Sequence, residues 1–275
     1  MKLIKTRTEK PEPRYNIESL ARGLDILDLF TPDNSSLSLT EIVASLKQNK
    51  STIFRVLSTL ETMGYLERDP TSRRYHPSLK VLQLGFTAIN RLDVRQVARP
   101  YLERLARELD ETVSLCVLHG TNVIYVDRVR NHSIVGVVID IGSRVPAHCT
   151  TLGKVLLANL ASDNLDRFLK NAKLKRYTPN TITEQQALLS ELSQIKKNGY
   201  AISDGELAVG LRAVGVPIFD NGTKAIAAIN VSGSATTISL QRLKKEIVPA
   251  VVRTAAQISL ALGYIPASAE KDVVP

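Results

Sequence analysis

One segment of the chain combines the residue types that contact nucleic acid. Between Lys50 and Met63, apolar residues recur at helical spacing and predict a helix with one buried face, formed by Ile53, Val56, Leu57, Leu60 and Met63. The opposite face carries short hydroxyl donors and one arginine: Ser51, Thr52, Arg55, Ser58, Thr59 and Thr62. Arginine reads guanine, while serine and threonine reach base edges or phosphates. Because no carboxylate precedes Glu61, this face is typical of a helix in a major groove. The polar surface of a small helical domain is the alternative.

Basic residues are concentrated around this helix. The chain carries a net charge of +9, and residues 47–80 hold seven basic side chains against three acidic ones. A basic excess favours polyanionic partners, although it is also common on solvated surfaces. Adjacent arginines follow in a predicted turn, and an earlier one lies in the first predicted helix. The residues expected to contact DNA are Arg22, Lys50, Ser51, Thr52, Arg55, Thr59, Arg73 and Arg74.

The elements around this helix predict how it is positioned. A first helix spans residues 17–30, with Leu20, Leu24, Leu27 and Phe30 at helical spacing. Ser38 to Glu41 forms a capping box that starts a second helix ending at Leu46. A three-residue break, closed by Asn49 as the N-cap, leads into the third helix. Short strands at 65–67 and 74–76 flank a turn at 69–72. Three helices followed by a hairpin predict a winged helix-turn-helix at residues 17–78.

A second group of polar residues suggests a site for a small anion. Thr150 and Thr151 precede a predicted helix at 152–160, and helix N-termini attract anions. Asn230 and Ser232 alternate on a predicted strand and therefore share one face. Polar side chains on a buried face need hydrogen-bond partners. A bound carboxylate is one candidate partner, and a structural water or a backbone group is the other.

The remaining elements predict an α+β fold with an antiparallel sheet. An amphipathic helix at 79–92 carries Leu82, Phe86 and Ile89 on one stripe and is expected to link two domains and to dimerise. The predicted elements that follow are a helix at 94–109 interrupted near Pro100, strands at 113–119, 123–129 and 134–141, helices at 152–160, 164–169 and 184–198, a hairpin of strands 213–219 and 225–231, and a helix at 240–262. Hairpins with helices grouped between them indicate α+β. Residues 1–16 and 266–275 are expected to be a flexible arm and tail, and residues 94–265 a second domain.

Several function classes find little support. There is no run of 18 apolar residues and no apolar leader before Tyr15, so neither a membrane span nor a signal peptide is expected. Cys116 and Cys149 cannot form a disulfide framework or a structural zinc site, which suits a reducing cytosol. A phosphate loop at Gly153 lacks the residues it needs, and no common hydrolase or zinc-protease motif occurs. We expect no catalytic residues, no metal and no cofactor, and we interpret Asp127-Arg128 as a structural ion pair.

Several stretches resemble the IclR family of bacterial transcription regulators. In the first part these are ARGLDILDLF, LSLTEIVASL, KSTIFRVLSTLETMGYLERD and RRYHPSLKVLQLG. In the second part they are RPYLERLARELDETVSL, VIYVDRV, VPAHCTTLGKVLLANL, GYAISDGELAVGLRAVGVPIFD and AAINVSG. The resemblance covers residues 17–265 and departs from the family at Asn49, where proline is common. It implies a homodimer or tetramer with a GAF-like C-terminal domain that binds a small, usually carboxylated, effector.

The resemblance also implies the effector site. By resemblance the pocket would be formed by Thr151, Leu152, Ser203, Ala213, Asn230 and Ser232, and the anion site predicted from the residues adds Thr150. The pair Thr151-Leu152, Ser203 and Ala213 replace residues of the glyoxylate-responsive type, so glyoxylate itself is not expected. The stretches VPAHCTTLGK and AAINVS look more like those of family members that respond to aromatic acids such as protocatechuate or 4-hydroxybenzoate.

The sequence therefore predicts a cytoplasmic transcription regulator. Its expected partners are a palindromic duplex operator, a small organic acid, a second copy of itself and RNA polymerase, with no membrane association. The alternative is a GAF-type sensor or enzyme whose basic N-terminal domain docks a protein.

Overall fold

The chain folds into two compact units, residues 1–88 and 89–275. The computed structural model describes residues 17–31, 34–90, 93–130 and 139–265, apart from the side chains of residues 86 and 88–90. The expected arm, residues 1–16, and tail, residues 266–275, lie outside this description. The expected α+β fold class is confirmed, with a small winged helical unit and a larger unit built on an antiparallel sheet.

The first unit contains three helices and a two-stranded sheet. These are α1 (Glu18–Asp28), α2 (Leu39–Leu46), α3 (Lys50–Thr62), β1 (Leu66–Arg68) and β2 (Tyr75–Pro77). Ser38 and Glu41 form the expected capping box at the start of α2, and the Asn49 side chain caps α3. Gly64 takes a φ of +73° directly after α3, a conformation that glycine adopts without strain. Local capping signals therefore fix the helix-turn-helix.

The core of this unit is small and leaves part of α1 uncovered. It is formed by Ile26, Leu37, Ile42, Ile53, Leu57, Leu66 and Tyr75. On α1 the buried residues are Gly23 and Ile26, whereas Leu20 and Leu24 are 61% and 56% exposed. These two members of the apolar stripe on α1 are therefore uncovered in the single chain. Met63, expected on the buried face of α3, is 56% exposed because it lies at the C-cap, beyond the core.

Two helices follow the hairpin of β1 and β2, which we call the wing. Helix α4 (Leu79–Asn90) spans the boundary between the units, and α5 (Asp93–Leu109) is the first helix of the second unit. The interruption expected near Pro100 does not occur, and α5 is continuous through this proline. A proline removes one helical N–H donor. Here the buried stripe of α5, which includes Ala98 and Leu102, packs in the core on both sides of that position.

The second unit is built on a six-stranded antiparallel sheet. Its strands are β3 (Thr112–His119), β4 (Asn122–Val129), β5 (Arg144–Pro146), β6 (Ala201–Asp204), β7 (Leu211–Phe219) and β8 (Ala225–Ser234), in the order β5-β4-β3-β8-β7-β6. The short strands β5 and β6 were not predicted from the sequence. Most of the strand predicted at 134–141 lies outside the described residues, and residues 139–141 are not in a strand.

Helices cover both faces of this sheet. They are α6 (Thr151–Ala158), α7 (Ser162–Asn171), α8 (Gln185–Asn198), a short α9 (Leu240–Arg242) and α10 (Val248–Ala261). Helices α5 and α10 pack on one face, and α6 and α8 pack on the other. The final helix predicted at 240–262 is interrupted by a π-helical turn, Leu243–Ile247. A widened turn accommodates the ring of Pro249.

Two backbone contacts position the N-terminus of α6. A Cβ added to Gly153 would lie 2.1 Å from the carbonyl oxygen of Ala147 in the preceding 3-10 turn. A Cβ added to Gly215 on β7 would lie 2.8 Å from the main-chain carbon of Thr151. The first turn of α6 therefore packs directly against main-chain atoms, and it cannot move closer to them.

We predict that Gly153→Ala destabilises the second unit by about 1–3 kcal/mol, because overpacking exceeds the gain in helix propensity. The control is Gly23→Ala on α1, where the added Cβ meets only the Val56 side chain at 3.8 Å, an ordinary contact. This control should stabilise its helix by about 0.5–1 kcal/mol. Chemical denaturation followed by circular dichroism measures both, and equal behaviour of the two variants would contradict the close packing of α6.

Candidate functional sites

Helix α3 presents a polar face on the surface of the first unit. Ile53 and Leu57 are buried, and Val56 and Leu60 pack beside them. Of the residues expected on the opposite face, Lys50, Ser51, Arg55 and Thr59 are exposed and Thr52 is half-buried. Asn49 accepts hydrogen bonds from the backbone N–H of Ser51 at 3.0 Å and from its hydroxyl at 2.9 Å. Among the described residues, no carboxylate forms an ion pair with Arg55.

The turn of the wing is rigidly built and exposes one arginine. An oxygen of the Asp69 carboxylate accepts hydrogen bonds from the backbone N–H of Thr71 at 3.0 Å and of Ser72 at 2.6 Å. Arg73 has a φ of +59° and an exposed side chain at the tip. The carbonyl of Arg73 accepts a hydrogen bond from the Arg68 guanidinium at 3.3 Å. The Arg73 side chain therefore projects from a fixed backbone.

Arg74 is instead held within the unit. Its guanidinium lies 2.8 Å from the carboxylate of Glu41 and donates to the Ser36 carbonyl at 2.9 Å. Hydrogen bonds from the Ser38 backbone and hydroxyl, together with that from Arg74, lower the pKa of Glu41 to about 2. Arg74 thus ties the wing to the start of α2. Arg22 forms an ion pair with Glu18, one helical turn earlier, at 2.7 Å.

The second unit contains a small pocket between the sheet and α6. Its volume is about 40 Å³. It is lined by Tyr125, Arg128, Ile139, Cys149, Thr150, Thr151, Ser203, Leu207, Leu211, Ala213, Asn230 and Ser232. Six of the seven residues expected at the effector site therefore meet here. Leu152 does not line the pocket but packs in the apolar core beneath it.

A row of polar side chains crosses the sheet at this pocket. Ser114 on β3 pairs with Arg128 on β4 on one side and with Asn230 on β8 on the other. Directly paired residues of antiparallel strands share a face. Arg128 Nε, Ser114 Oγ and Asn230 Oδ1 are all buried without a hydrogen-bond partner. Buried polar atoms rarely remain unpaired, so this row is suited to a polar ligand.

A β-bulge in β4 brings Arg128 to the pocket. Leu115 pairs with Asp127 and Cys116 with Tyr125, so Val126 is an extra residue. Val126 packs in the core with α5 and α10, whereas Tyr125 lies with the residues around α6. Because of the extra residue, Tyr125 and Arg128 both line the pocket although they are three positions apart. Strict alternation of side chains along β4 does not predict this arrangement.

The interpretation of Asp127 and Arg128 as an ion pair is wrong. The Asp127 carboxylate lies 2.7 Å from Arg99 and 3.6 Å from Arg95, both on α5, on the opposite side of the sheet. The Arg128 guanidinium donates to the Ile139 carbonyl at 2.8 Å. Burial lowers the pKa of Arg128, yet a guanidinium stays protonated in proteins. The pocket therefore contains a cation without a partner carboxylate among the described residues.

A buried ion pair supports the other side of the pocket. Lys154 on α6 is 1% exposed and lies 2.6 Å from Glu206 and 3.2 Å from Glu191. Glu206 directly precedes Leu207, which lines the pocket. Thr178 donates to the Gly205 carbonyl at 2.6 Å, and Thr181 donates to the Glu206 carbonyl at 2.7 Å. These contacts hold the loop with Leu207 against α6.

The two cysteines have no reactive environment. Cys116 and Cys149 are free and buried, and burial raises the pKa of the Cys149 thiol to about 12. A thiol with such a pKa forms little thiolate at neutral pH. Within the described parts of the chain, no cluster of His, Cys, Asp and Glu could hold a metal ion, and no helix could cross a membrane.

Comparison with known proteins agrees with this architecture. The model of the IclR helix-turn-helix domain matches residues 19–70, and that of the bacterial transcriptional regulator IclR C-terminal domain matches residues 86–260. The XynR transcriptional regulator of Escherichia coli is 31% identical over 90% of this chain and 98% of its own length.

Solved structures extend the likeness. A transcriptional regulator from Rhodococcus has a TM-score of 0.77 and 33% identity, over 90% of this chain and 98% of its own. An IclR homologue from Microbacterium hydrocarbonoxydans, crystallised with 4-hydroxybenzoate, has a TM-score of 0.76 and 25% identity, over 89% of this chain and 98% of its own.

The first unit, with its winged helix-turn-helix, and the second unit together define a DNA-binding transcription regulator with a C-terminal effector-binding domain. The chain belongs to the IclR family of bacterial transcriptional regulators. Its relatives are regulators of transcription, so the protein is a regulator and not an enzyme.

Proposed function

We propose that the protein binds a palindromic operator as a homodimer and that a small carboxylic acid in the second unit changes this binding. The observation that carries the effector site is the row of three unpartnered polar atoms beside the N-terminus of α6. The linker helix, residues 79–93, would connect the two functions. The cytoplasm is the corresponding location, and RNA polymerase is a further candidate partner.

For DNA binding, α3 is the base-reading helix. Arg55 is its central long donor, with Lys50, Ser51, Thr52 and Thr59 beside it. On the wing, Arg73 has a free path to a phosphate or a minor groove. Arg74 and Arg22 remain candidates for phosphate contacts, but each would have to share its guanidinium with Glu41 or Glu18. We therefore assign the main wing contact to Arg73.

For the effector, the geometry favours an anion. Arg128 supplies a half-buried positive charge, and the Asn230 Nδ2 amide and the Ser232 hydroxyl supply neutral donors, whereas Asn230 Oδ1 can only accept. Thr150 caps α6 by accepting the backbone N–H of Gly153 at 3.1 Å, and Thr151 begins the helix. The positive end of that helix adds to the potential. A carboxylate would pair with Arg128 and relieve the cost of leaving its buried Nε unpartnered.

The size of the pocket favours a short aliphatic acid. Cavities of about 150 Å³ accept a benzene ring, whereas this one has a volume of about 40 Å³. An aromatic acid is the second candidate, because a relative was crystallised with 4-hydroxybenzoate. It would require Leu207 or Leu211 to move. A thermal-shift panel of pyruvate, glyoxylate, protocatechuate and 4-hydroxybenzoate separates these classes, since a ligand at 100 times its Kd stabilises by about 2.7 kcal/mol.

For self-association, the first unit has uncovered apolar surface. Leu20 and Leu24 on α1 and Leu79, Leu82 and Leu84 on α4 are all exposed in the single chain. The other residues of the predicted stripe, Phe86 and Ile89, have side chains outside the described part. A second copy would cover such a surface, and two base-reading helices would then match a palindromic site.

We predict that Arg55→Ala weakens binding to the selected operator by about 1–3 kcal/mol and relaxes base preference at one position per half-site. Fluorescence anisotropy over a salt series measures it, and wild-type affinity should fall steeply with salt. Arg253→Ala removes the same charge from an exposed ion pair in the other unit and should have no effect. Equal losses on operator and random DNA would make Arg55 a phosphate contact. Binding without salt dependence would favour the alternative of a docked protein partner.

We predict that Arg128→Gln and Asn230→Ala each raise the Kd of the panel acid at least tenfold, because each removes a charge-assisted or buried hydrogen bond. Ser232→Ala should cost about 1 kcal/mol. Operator affinity without acid should stay unchanged. Arg128→Gln should also keep or raise the melting temperature of the free protein, since it removes a half-buried cation that has no partner carboxylate among the described residues. A lower melting temperature with unchanged acid affinity would show that Arg128 is structural.

We predict that Leu82→Lys weakens dimerisation and operator binding together, because it places a charge in the surface that the second copy covers. Sedimentation velocity and anisotropy measure the two effects on one preparation. Gln241→Lys adds the same charge at an exposed position of the second unit and should leave both unchanged. A Leu82→Lys monomer that binds the operator with native affinity would rule out this interface.

A further inference from the structure

Helix α3 carries one large apolar side chain that its own unit does not bury. Phe54 is 47% exposed, whereas Ile53, Leu57, Val56 and Leu60 form or support the core on another side of the helix. A buried phenylalanine stabilises a protein far more than an exposed one, and phenylalanine is not a strong helix former. Neither packing nor helix propensity therefore accounts for a phenylalanine here.

The position of Phe54 places it beside the polar face. Residues three and four apart are neighbours on a helix, so Ser51 and Ser58 flank Phe54 on the same side. Arg55 follows it directly. Phe54 lies in the second turn of α3, near the N-terminal end that approaches base edges when such a helix enters a major groove. Its ring would enter the groove next to the arginine.

The chemistry of the groove selects one partner for an apolar ring. In the major groove guanine, adenine and cytosine present hydrogen-bonding groups, whereas thymine adds a methyl group. A ring over a polar edge would leave that edge without water and without a partner, which is unfavourable. A ring over a methyl group buries two apolar surfaces together. The residues around α3 are basic, and α3 itself contains no carboxylate before Glu61. DNA is therefore the occupant that fits this surface.

We infer that Phe54 is a specificity-determining residue that selects a thymine through its methyl group, next to the base read by Arg55. This inference rests on the proposed role of α3 as the base-reading helix. It adds an apolar contact to the hydrogen-bonding face and predicts a conserved T·A pair in each half-site of the operator.

The test removes the methyl group from the DNA and the ring from the protein. The full-length protein first selects its preferred sites from a library of random duplexes. Each dT of the selected half-site is then replaced by dU, which lacks only the methyl group. At one position, wild-type affinity should fall about fourfold per half-site, the factor expected for one buried methyl-sized group. Phe54→Ala should bind the dT duplex correspondingly more weakly and should not distinguish dT from dU at that position.

Matched variants keep the result interpretable. Phe54→Leu keeps an apolar side chain and should retain part of the discrimination. Met63→Ala removes another exposed apolar side chain, at the far end of α3, and should leave it intact. Circular dichroism and sedimentation of each variant report fold and association.

Three outcomes overturn the inference. Selected sites whose affinity is insensitive to dU at every position show that the ring reads no methyl group. Loss of dimerisation in Phe54→Ala shows that the ring contacts a second copy instead. A library that yields no preferred sequence overturns both this inference and the proposed operator binding, whereas preferred sites with no dU effect overturn this inference alone.

Discussion

The extra residue in β4 decides which side chains face each side of the main sheet. Without the bulge at Val126, Tyr125 and Arg128 would project to opposite faces. With it, Val126 and Asp127 face α5 and α10, while Tyr125 and Arg128 face α6. One face then carries a buried carboxylate paired with two arginines, and the other carries a cation in a pocket. The charge pattern of the second unit therefore depends on one irregularity in strand pairing.

The first unit achieves a comparable separation with local signals. Ser38, Glu41 and Asn49 determine where α2 and α3 begin, so the polar face of α3 is set by local contacts. Arg74 then joins the wing to the same Glu41 that caps α2. One carboxylate thus serves the capping box and the wing, which leaves Arg73 exposed at the tip. Because the core of this unit is small, these polar contacts help to position the wing and the start of α2.

Much of this could be predicted from the sequence, because the signals are local. Capping residues, the three-residue break and the hairpin turn give the helix-turn-helix, and the alternation at Asn230 and Ser232 gives one wall of the pocket. Arg128 could not be found in this way, because a bulge depends on pairing with another strand. The π-helical turn before Pro249 and the continuity of α5 through Pro100 depend equally on tertiary packing. A stripe such as Leu20 and Leu24 shows that a surface is to be covered but does not say by which chain.

The backbone contacts of α6 have a consequence for how such sensors diversify. Gly153 and Gly215 let the first turn of α6 rest on main chain, so the helix cannot shift to enlarge the pocket without a rearranged backbone. A change of ligand range must then come from side chains on the sheet and the facing loop, at positions such as Ser203, Ala213 and Leu207. Libraries intended to retune this protein as a biosensor would vary those positions and keep both glycines. Such a design leaves the end of the pocket at Arg128 and the start of α6 constant while its far end is rebuilt for a new molecule.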